Sequence, residues 1–225
     1  GSSGKLFELI KNTKVEIDNI YIDQDNKKIK ELDYISLPEE YKPLPDFDSH
    51  FGKIATEYLL NRKRRIDTDI MMKYKMGYCT SGRFNGRIIL PCYENGKLQF
   101  FQARDFLNRE HLIRYDQIPG YKVHENGIVF NCENVVGELC IIVEGMLDAI
   151  HVGGISSFGK LISNEQARTI KRYKFNKHIV IFDEDAEKEA LKAVNTLERN
   201  SCDSVGVLFI TGNPDDYERV DLVKR

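Results

Sequence analysis

Three short apolar runs in the last third of the chain constrain its fold more than any other feature. They are LCIIV from residue 139, HIVIF from residue 178 and VGVLFI from residue 205. The helical patterns EQARTIKRYKF and AEKEALKAVNTLERN separate the later runs. Continuous apolar runs of this length are typical of strands covered on both faces, and their alternation with helices is typical of βαβ units. The sequence therefore predicts an α/β fold with a mostly parallel sheet flanked by helices.

The region upstream of these runs predicts a smaller, basic, mixed α+β subdomain. HFGKIATEYLLNRKRRI has apolar residues at helical spacing, and DTDIMMKYKM predicts a second helix behind an N-cap at Asp67 or Thr68. RIILPCY and LQFFQAR predict two strands, which Asn95-Gly96 joins as a tight hairpin. GIVFN, from residue 127, is a third strand candidate.

The N-terminal region is polar and carries weaker signals. GSSG at residues 1–4 is typical of an expression scar. VEIDNIYID predicts a weak hairpin, and the three prolines of LPEEYKPLP predict an extended tether. The chain thus divides into the scar, a linker or tether, the basic subdomain, the parallel-sheet subdomain and the start of a further segment. These five parts cover residues 1–4, 5–48, 49–137, 138–216 and 217–225.

Charge is distributed unevenly, although the net charge of the chain is only −2. Residues 51–122 hold 14 Lys and Arg against 7 Asp and Glu, whereas residues 123–225 hold 12 against 17. A basic middle followed by an acidic final third favours a polyanionic partner next to a cation site. Solvated surface faces are an equally good explanation of the charge pattern alone.

The cysteines and the hydropathy pattern limit the class of protein. The five cysteines form no CxxC pair, which argues against a disulfide framework and against a zinc site, so we expect buried, reduced thiols and no zinc. No apolar run has the length of a membrane span, and no signal peptide is visible. We therefore expect a cytoplasmic protein without a membrane partner.

Acidic residues follow two of the predicted strands directly. Glu144 follows the first run, and Asp183 and Asp185 follow the second. In parallel sheets, functional groups gather at the carboxyl ends of the strands, so neighbouring strands would bring these acids together. In an extended stretch, Asp183 and Asp185 would also point the same way. Three close carboxylates need a cation, and oxygen ligands alone favour Mg²⁺ or Mn²⁺, the metals of phosphoryl transfer.

Alternatives remain for each acid taken alone. Any of the three could cap the helix that follows it, although capping explains two acidic strand ends poorly. Asp148, one turn into a helix, could support the metal site or lie in solvent. Asp215, after the last strand, could be a further ligand or part of a Pro-Asp turn.

IIVEGMLDAI, SSFGK and HIVIFDEDAEKEALKAV together resemble the Toprim domain, which DnaG-type primases, type IA and II topoisomerases and some nucleases share. The family signature is a Glu-Gly turn followed by a DxD motif, here Glu144-Gly145 and Asp183 to Asp185, and Asp148 matches the aspartate that primases place after the turn. The resemblance covers residues 138–216. It implies that Glu144, Asp183 and Asp185 are catalytic metal ligands and that Asp148 and Asp215 are further metal ligands.

Upstream segments resemble the DnaG-type primase core of the phage kind. They are ATEYLLNRKRRIDTDIMMKYKMGYC, GRIILPCYENGKLQFFQAR and LIRYDQIPGYKVHENGIVFN. Topoisomerases lack these segments. The resemblance implies a Mg²⁺- or Mn²⁺-dependent nucleotidyltransferase that makes short RNA primers from NTPs on a single-stranded DNA template. It also implies a replicative helicase as partner and a location in the cytoplasm, or in the host cytoplasm for a phage protein.

The resemblance also assigns a basic groove, and the chain departs from the family at several places, among them Ala186-Glu187, where the family has Arg or Gly after the DxD motif. The template and nucleotide would contact Arg87, Arg104, Arg114 and Lys122. Asn126-Gly127 stands where the family carries Lys-Gly, and Asn213 precedes Pro214 where the family has Asp. A metal contact at Asn213 would then pass to Asp215.

Two other functions remain open. One is a Toprim-type nuclease or a topoisomerase fragment that acts on DNA phosphodiesters. The other is a degenerate Toprim domain that only binds nucleic acid.

Overall fold

Two β-sheets form the framework of the chain. The computed structural model describes residues 35–61, 65–110, 112–212, 214–217 and 222, with the side chain of Asp215 excepted. Residues 36–225 belong to one unit, which contains both sheets. The weak hairpin predicted in residues 15–23, the basic residues 62–64 and Asn213 lie outside the described residues.

The first sheet is antiparallel and has the order β1-β2-β3-β4-β5. Two helices, α1 (His50–Leu60) and α2 (Thr68–Lys73), connect its first two strands. The strands are β1 (Tyr41–Pro43), β2 (Gly77–Cys79), β3 (Arg87–Glu94), β4 (Lys97–Asp105) and β5 (Tyr115–Gln117). Within the proline-rich segment, Glu39 and Glu40 form a turn, and Tyr41–Pro43 pair as the edge strand β1, a position that tolerates proline.

Local signals in this sheet were accurate where turn or cap chemistry was strong. Asn95 and Gly96 have φ values of 51° and 74°, as a tight hairpin between β3 and β4 requires, so the predicted hairpin is confirmed. The Asp67 side chain accepts a hydrogen bond of 2.8 Å from the Ile70 amide and caps α2, also as predicted. Both signals depend on residues close together in sequence.

The predicted strand GIVFN was wrong. Only Phe130 pairs in a sheet-like manner, in a single antiparallel bridge to Ser156. The chain then turns, because Asn131 adopts a left-handed conformation (φ 75°) and begins the short 3-10 helix Cys132–Asn134. The Asn131 side chain holds this turn by donating a 2.7 Å hydrogen bond to the Gly154 carbonyl.

The second sheet is parallel and has the order β7-β6-β8-β9, which confirms the predicted α/β fold with a mostly parallel sheet flanked by helices. Within the described part of the chain, no helix has the length and hydropathy that crossing a membrane requires. The strands are β6 (Leu139–Val143), β7 (Ile155–Ser156), β8 (Lys177–Val180) and β9 (Val205–Val207). The helices are α3 (Met146–Val152), α4 (Asn164–Arg172) and α5 (Glu187–Arg199).

The central strand β6 is buried on both faces, which explains its uninterrupted apolar sequence. Ile141 and Val143 pack into a core that the antiparallel sheet and α3 share. Cys140 and Ile142, which alternate with them, pack into a second core with α4 and α5. All four residues have no exposed surface. The five cysteines are free and buried, as the sequence predicted.

Candidate functional site

The acidic ends of β6 and β8 meet at one edge of the parallel sheet. The two strands are neighbours, with Ile142 opposite Val180. Just beyond their ends, the Asp183 amide donates a 2.9 Å hydrogen bond to Oε1 of Glu144. The sequence predicted that these two acidic strand ends would converge if their strands were neighbours. The strands are neighbours, and the two ends converge.

Helix capping does not account for these acids. The N-cap residues of α3 and α5 are Gly145 and Ala186, and neither makes a side-chain capping bond. Asp183 precedes the 3-10 turn Glu184–Ala186, again without a side-chain capping bond. Glu144 is not at an N-cap position at all. The acidic strand ends need another explanation.

The position of Asp185 differs from the prediction, which placed Asp183 and Asp185 on the same side of an extended stretch. The Ala186 amide donates to the Asp183 carbonyl at 2.9 Å, and this bond closes a 3-10 turn instead of an extended stretch. The Asp185 side chain is therefore 79% exposed, and it pairs with the Lys160 ammonium group at 2.5 Å. Asp185 reaches the site from an exposed turn rather than from the end of a strand.

Lys160, which was not among the predicted site residues, contributes a positive charge to this site. It lies in the loop after β7, and its pKa is raised first by the hydrogen bond to Asp185 and further by the charges of Glu144 and Asp183, against the effect of burial. The available signal was its position at the end of SSFGK, in the loop that follows a short strand at the edge that carries the acids.

The acids influence one another electrostatically. Burial raises the pKa of Glu144, and the charges of Asp183 and Asp185 raise it further, while the Asp183 amide and Lys160 act in the opposite direction. The hydrogen bond from Lys160 lowers the pKa of Asp185. Three carboxylates and one ammonium group at the sheet edge therefore lie near enough to one another to interact electrostatically.

The carboxylate oxygens of this site suit Mg²⁺ if water and substrate phosphates complete its coordination. Among the described residues, no group of three or more His, Cys, Asp or Glu side chains is arranged to hold a metal ion by itself. Mg²⁺ is usually held by one or two carboxylates together with water and substrate phosphates rather than by a protein cage. Glu144 and Asp183 offer such oxygen ligands, so the assignment of a metal to these residues stays a prediction that their chemistry allows.

The other two predicted ligands, Asp148 and Asp215, belong to segments that adjoin the acidic strand ends. Asp148 is in the first turn of α3, and its carboxylate lies over Gly145, where a side chain would collide with it. The backbone of Asp215 belongs to the 3-10 turn Pro214–Asp216. The loop before that turn adjoins the acidic turn, since the Gly212 amide donates to Oε2 of Glu184 at 3.3 Å.

Arg87 and Arg104, the first two residues of the predicted basic groove, are buried. Arg87 is 4% exposed and donates to the carbonyls of Ile113 at 2.9 Å and Ala103 at 3.0 Å. Burial lowers its pKa. Arg104 is 3% exposed, and its Nε donates to the Tyr58 hydroxyl at 2.6 Å. One terminal nitrogen of Arg104 has no hydrogen-bond partner in the part of the chain that the structure describes.

Arg114 and Lys122, the other two residues of that groove, are exposed. Lys122 pairs with Glu125 at 2.8 Å on the surface. Of the four basic residues, only these two present their side chains where a nucleic acid could reach them without rearrangement. A role of all four in binding stays a prediction.

Comparison with known proteins adds one distant similarity. A DNA primase from Clostridium acetobutylicum is 29% identical to this chain over 165 residues, which are 67% of the chain and 27% of the primase. The chain thus spans about a quarter of the length of that relative. No protein-family model matches the chain. No solved structure matches it either.

Proposed function

We propose that this chain is a DNA primase catalytic core of the DnaG type with a Toprim subdomain. In this proposal it is a nucleotidyltransferase that makes short RNA primers on single-stranded DNA. The observation that carries the proposal is the meeting of Glu144 and Asp183 at adjacent parallel strand ends. The distant similarity to a DNA primase supports this choice among the enzymes that use such a site.

The acids have distinct parts in this mechanism. Glu144 and Asp183 would hold Mg²⁺ or Mn²⁺, and the hydrogen bond from the Asp183 amide orients the Glu144 carboxylate. Asp185 would contribute negative charge from its exposed turn. Asp148 and Asp215 would support the site from the neighbouring helix and turn. When bound, the metal supplies charge stabilisation for the attack of the primer 3′-hydroxyl on the nucleotide.

The basic region would bind the template. Arg114 and Lys122 are exposed, so they can contact phosphates of single-stranded DNA, and such contacts position a template without reading its bases. Arg87 and Arg104 are buried and would support this region through hydrogen bonds to the carbonyls of Ala103 and Ile113 and to the Tyr58 hydroxyl.

The remaining partners belong to the proposal as well. A primase of this kind uses NTPs, an RNA primer and a DNA template, and it works beside a replicative helicase. Its place would be the cytoplasm, or the host cytoplasm if it is a phage protein.

The test is extension of a pre-annealed RNA primer on single-stranded DNA with Mg²⁺ and NTPs. Asp183→Asn should reduce extension by about 100-fold or more, because it removes a charge on which the metal depends. Asp203→Asn is the matched control. Its side chain is exposed and paired with Lys171, away from the acidic edge, so it should extend primers within about twofold of wild type.

Other results would redirect the assignment. Full activity of Asp183→Asn would show that the metal site is misplaced. Absence of extension together with Mg²⁺-dependent loss of the DNA strand would favour a Toprim-type nuclease or a topoisomerase fragment. Binding of single-stranded DNA without any chemistry would favour a degenerate, binding-only domain.

A further inference from the structure

The loop that carries Lys160 is tied to the backbone of the acid opposite it. The Ser156 hydroxyl donates to the Glu144 carbonyl at 2.7 Å, and the Gly159 amide donates to the same carbonyl at 3.0 Å. Within the loop, the Ser157 hydroxyl donates to the Gly159 carbonyl at 2.7 Å. The loop backbone next to Lys160 is therefore tied to the backbone of Glu144.

The same loop contains a strained residue. Phe158 has a φ of 62°, a left-handed conformation that is costly for a bulky side chain. Its ring packs edge-on against Phe100 of β4, with ring centroids 5.0 Å apart, and this contact holds it in place. Backbone strain that the surrounding structure maintains is concentrated at functional sites. The next two residues contact the acidic edge, because Gly159 donates to the Glu144 carbonyl and Lys160 to Asp185.

A second Lys-Asp pair shows what is special about Lys160. Lys171 and Asp203 pair at 3.2 Å, with side chains that are 44% and 78% exposed, against 37% and 79% for Lys160 and Asp185. Exposed pairs of this kind contribute little to stability. A stabilising ion pair therefore does not explain a strained, hydrogen-bonded loop around Lys160.

We propose, on the basis of the proposed function, that Lys160 is a substrate-binding residue that binds the triphosphate of the incoming nucleotide. A divalent cation held by Glu144 and Asp183 would repel the Lys160 ammonium group and weaken its attraction to Asp185. The loop keeps the ammonium group beside the acids, where the nucleotide phosphates supply new acceptor oxygens. A lysine suits this task because its ammonium group binds phosphate as a point charge.

The proposal predicts two effects of opposite sign for Lys160→Ala. Without nucleotide, Mn²⁺ should bind about two- to fivefold more tightly, because a repelling positive charge is gone. ATP with Mg²⁺ should bind about tenfold more weakly, because a charged hydrogen bond to phosphate is lost. If Lys160 only supported the acids, Lys160→Ala would weaken the binding of both Mn²⁺ and ATP.

Isothermal titration calorimetry with Mn²⁺ alone, with ATP plus Mg²⁺ and with inorganic tripolyphosphate plus Mg²⁺ measures these effects. Lys160→Ala should lose affinity for ATP and tripolyphosphate alike, and Lys160→Arg should retain most of it. Lys171→Ala is the matched control and should leave all three affinities unchanged. Thermal unfolding of each variant confirms that it is folded.

Unchanged ATP affinity in folded Lys160→Ala would overturn the proposal, and so would a parallel loss of Mn²⁺ and ATP binding. Absence of ATP binding by the wild-type protein would overturn it as well. Primer extension in parallel separates it from the proposed function. ATP binding that depends on Lys160, without extension, would keep the assignment of Lys160 and reject the primase activity.

Discussion

The antiparallel sheet buries its predicted functional charges, whereas the parallel sheet presents its own at one edge. Arg87 and Arg104 of the antiparallel sheet are 4% and 3% exposed, and backbone carbonyls or tyrosine hydroxyls accept their hydrogen bonds. Glu144 is half-buried at a strand end, and Asp185 is 79% exposed nearby. The two sheets therefore use charged residues for different purposes.

The chain that follows the strands explains the difference. Arg87, at the start of β3, and Arg104, near the end of β4, lie at the same edge of the antiparallel sheet, and the segment after β4 contacts both of them. All strands of a parallel sheet end at the same edge, where charges that follow them accumulate. The excess of basic residues therefore indicated a region of the chain but not which of its side chains are exposed. The acids that follow two parallel strands indicated a specific site.

The largest effect is expected from removing a buried charge of the antiparallel sheet. Arg87→Met should lower the free energy of unfolding by about 2–4 kcal/mol, because the carbonyls of Ala103 and Ile113 lose their donor. Arg114→Met, at an exposed arginine of the same region, should change it by less than about 0.5 kcal/mol. Urea unfolding measures both. Equal stabilities would remove the structural role assigned to Arg87.

A smaller loss is expected from crowding the parallel sheet. A Cβ at Gly154 would collide with the carbonyl of Ile141 in β6, so Gly154→Ala should lower the free energy of unfolding by about 1–3 kcal/mol. Gly206→Ala in β9, where a Cβ meets no atom within 4 Å, is the control. If chemical denaturation gave the same midpoint for both variants, the close approach at Gly154 would not be a constraint.

The exposed basic residues should affect binding rather than stability. Arg114→Ala should weaken binding of single-stranded DNA several-fold and reduce the slope of log affinity against log salt by about one, as expected for one lost phosphate contact. Fluorescence anisotropy over a series of salt concentrations measures both quantities. Arg168→Ala on α4 is the control, and an unchanged slope for Arg114→Ala would place the DNA elsewhere.

The smallest effect concerns the ionisation of Glu144. Burial raises its pKa above the ordinary 4.5, so folding favours the protonated form, and the ionised form reduces stability above the folded pKa. In buffer with a chelator at pH 7, Glu144→Gln should therefore melt about 1–3 °C higher than wild type. This difference should disappear as the pH falls below 4.5.

Melting curves at pH 7 and pH 4 test this expectation. Glu198→Gln, at an exposed glutamate of α5, should match wild type at both values. A lower melting temperature of Glu144→Gln at pH 7 would mean that the carboxylate stabilises the fold. Glu144 would then be a structural charge rather than a functional one.

The sequence by itself determined the elements whose causes are local. Burial on both faces required the apolar run of β6, Asn95-Gly96 specified the hairpin, and Asp67 capped its helix. The sequence also placed Glu144 and Asp183 at strand ends, because an acid directly after an apolar run has few other positions. These predictions needed only neighbours within a few residues along the chain.

The tertiary structure alone decided which charges meet and which are buried. Lys160 and Asp185 are 25 residues apart and meet only because β7 and β8 both flank β6 and end at the same edge. Arg87 is buried because the chain after β4 folds back over it, which no pattern within β3 indicates. Periodicity reports the face that a residue occupies, whereas the partner of a charge depends on how distant segments pack.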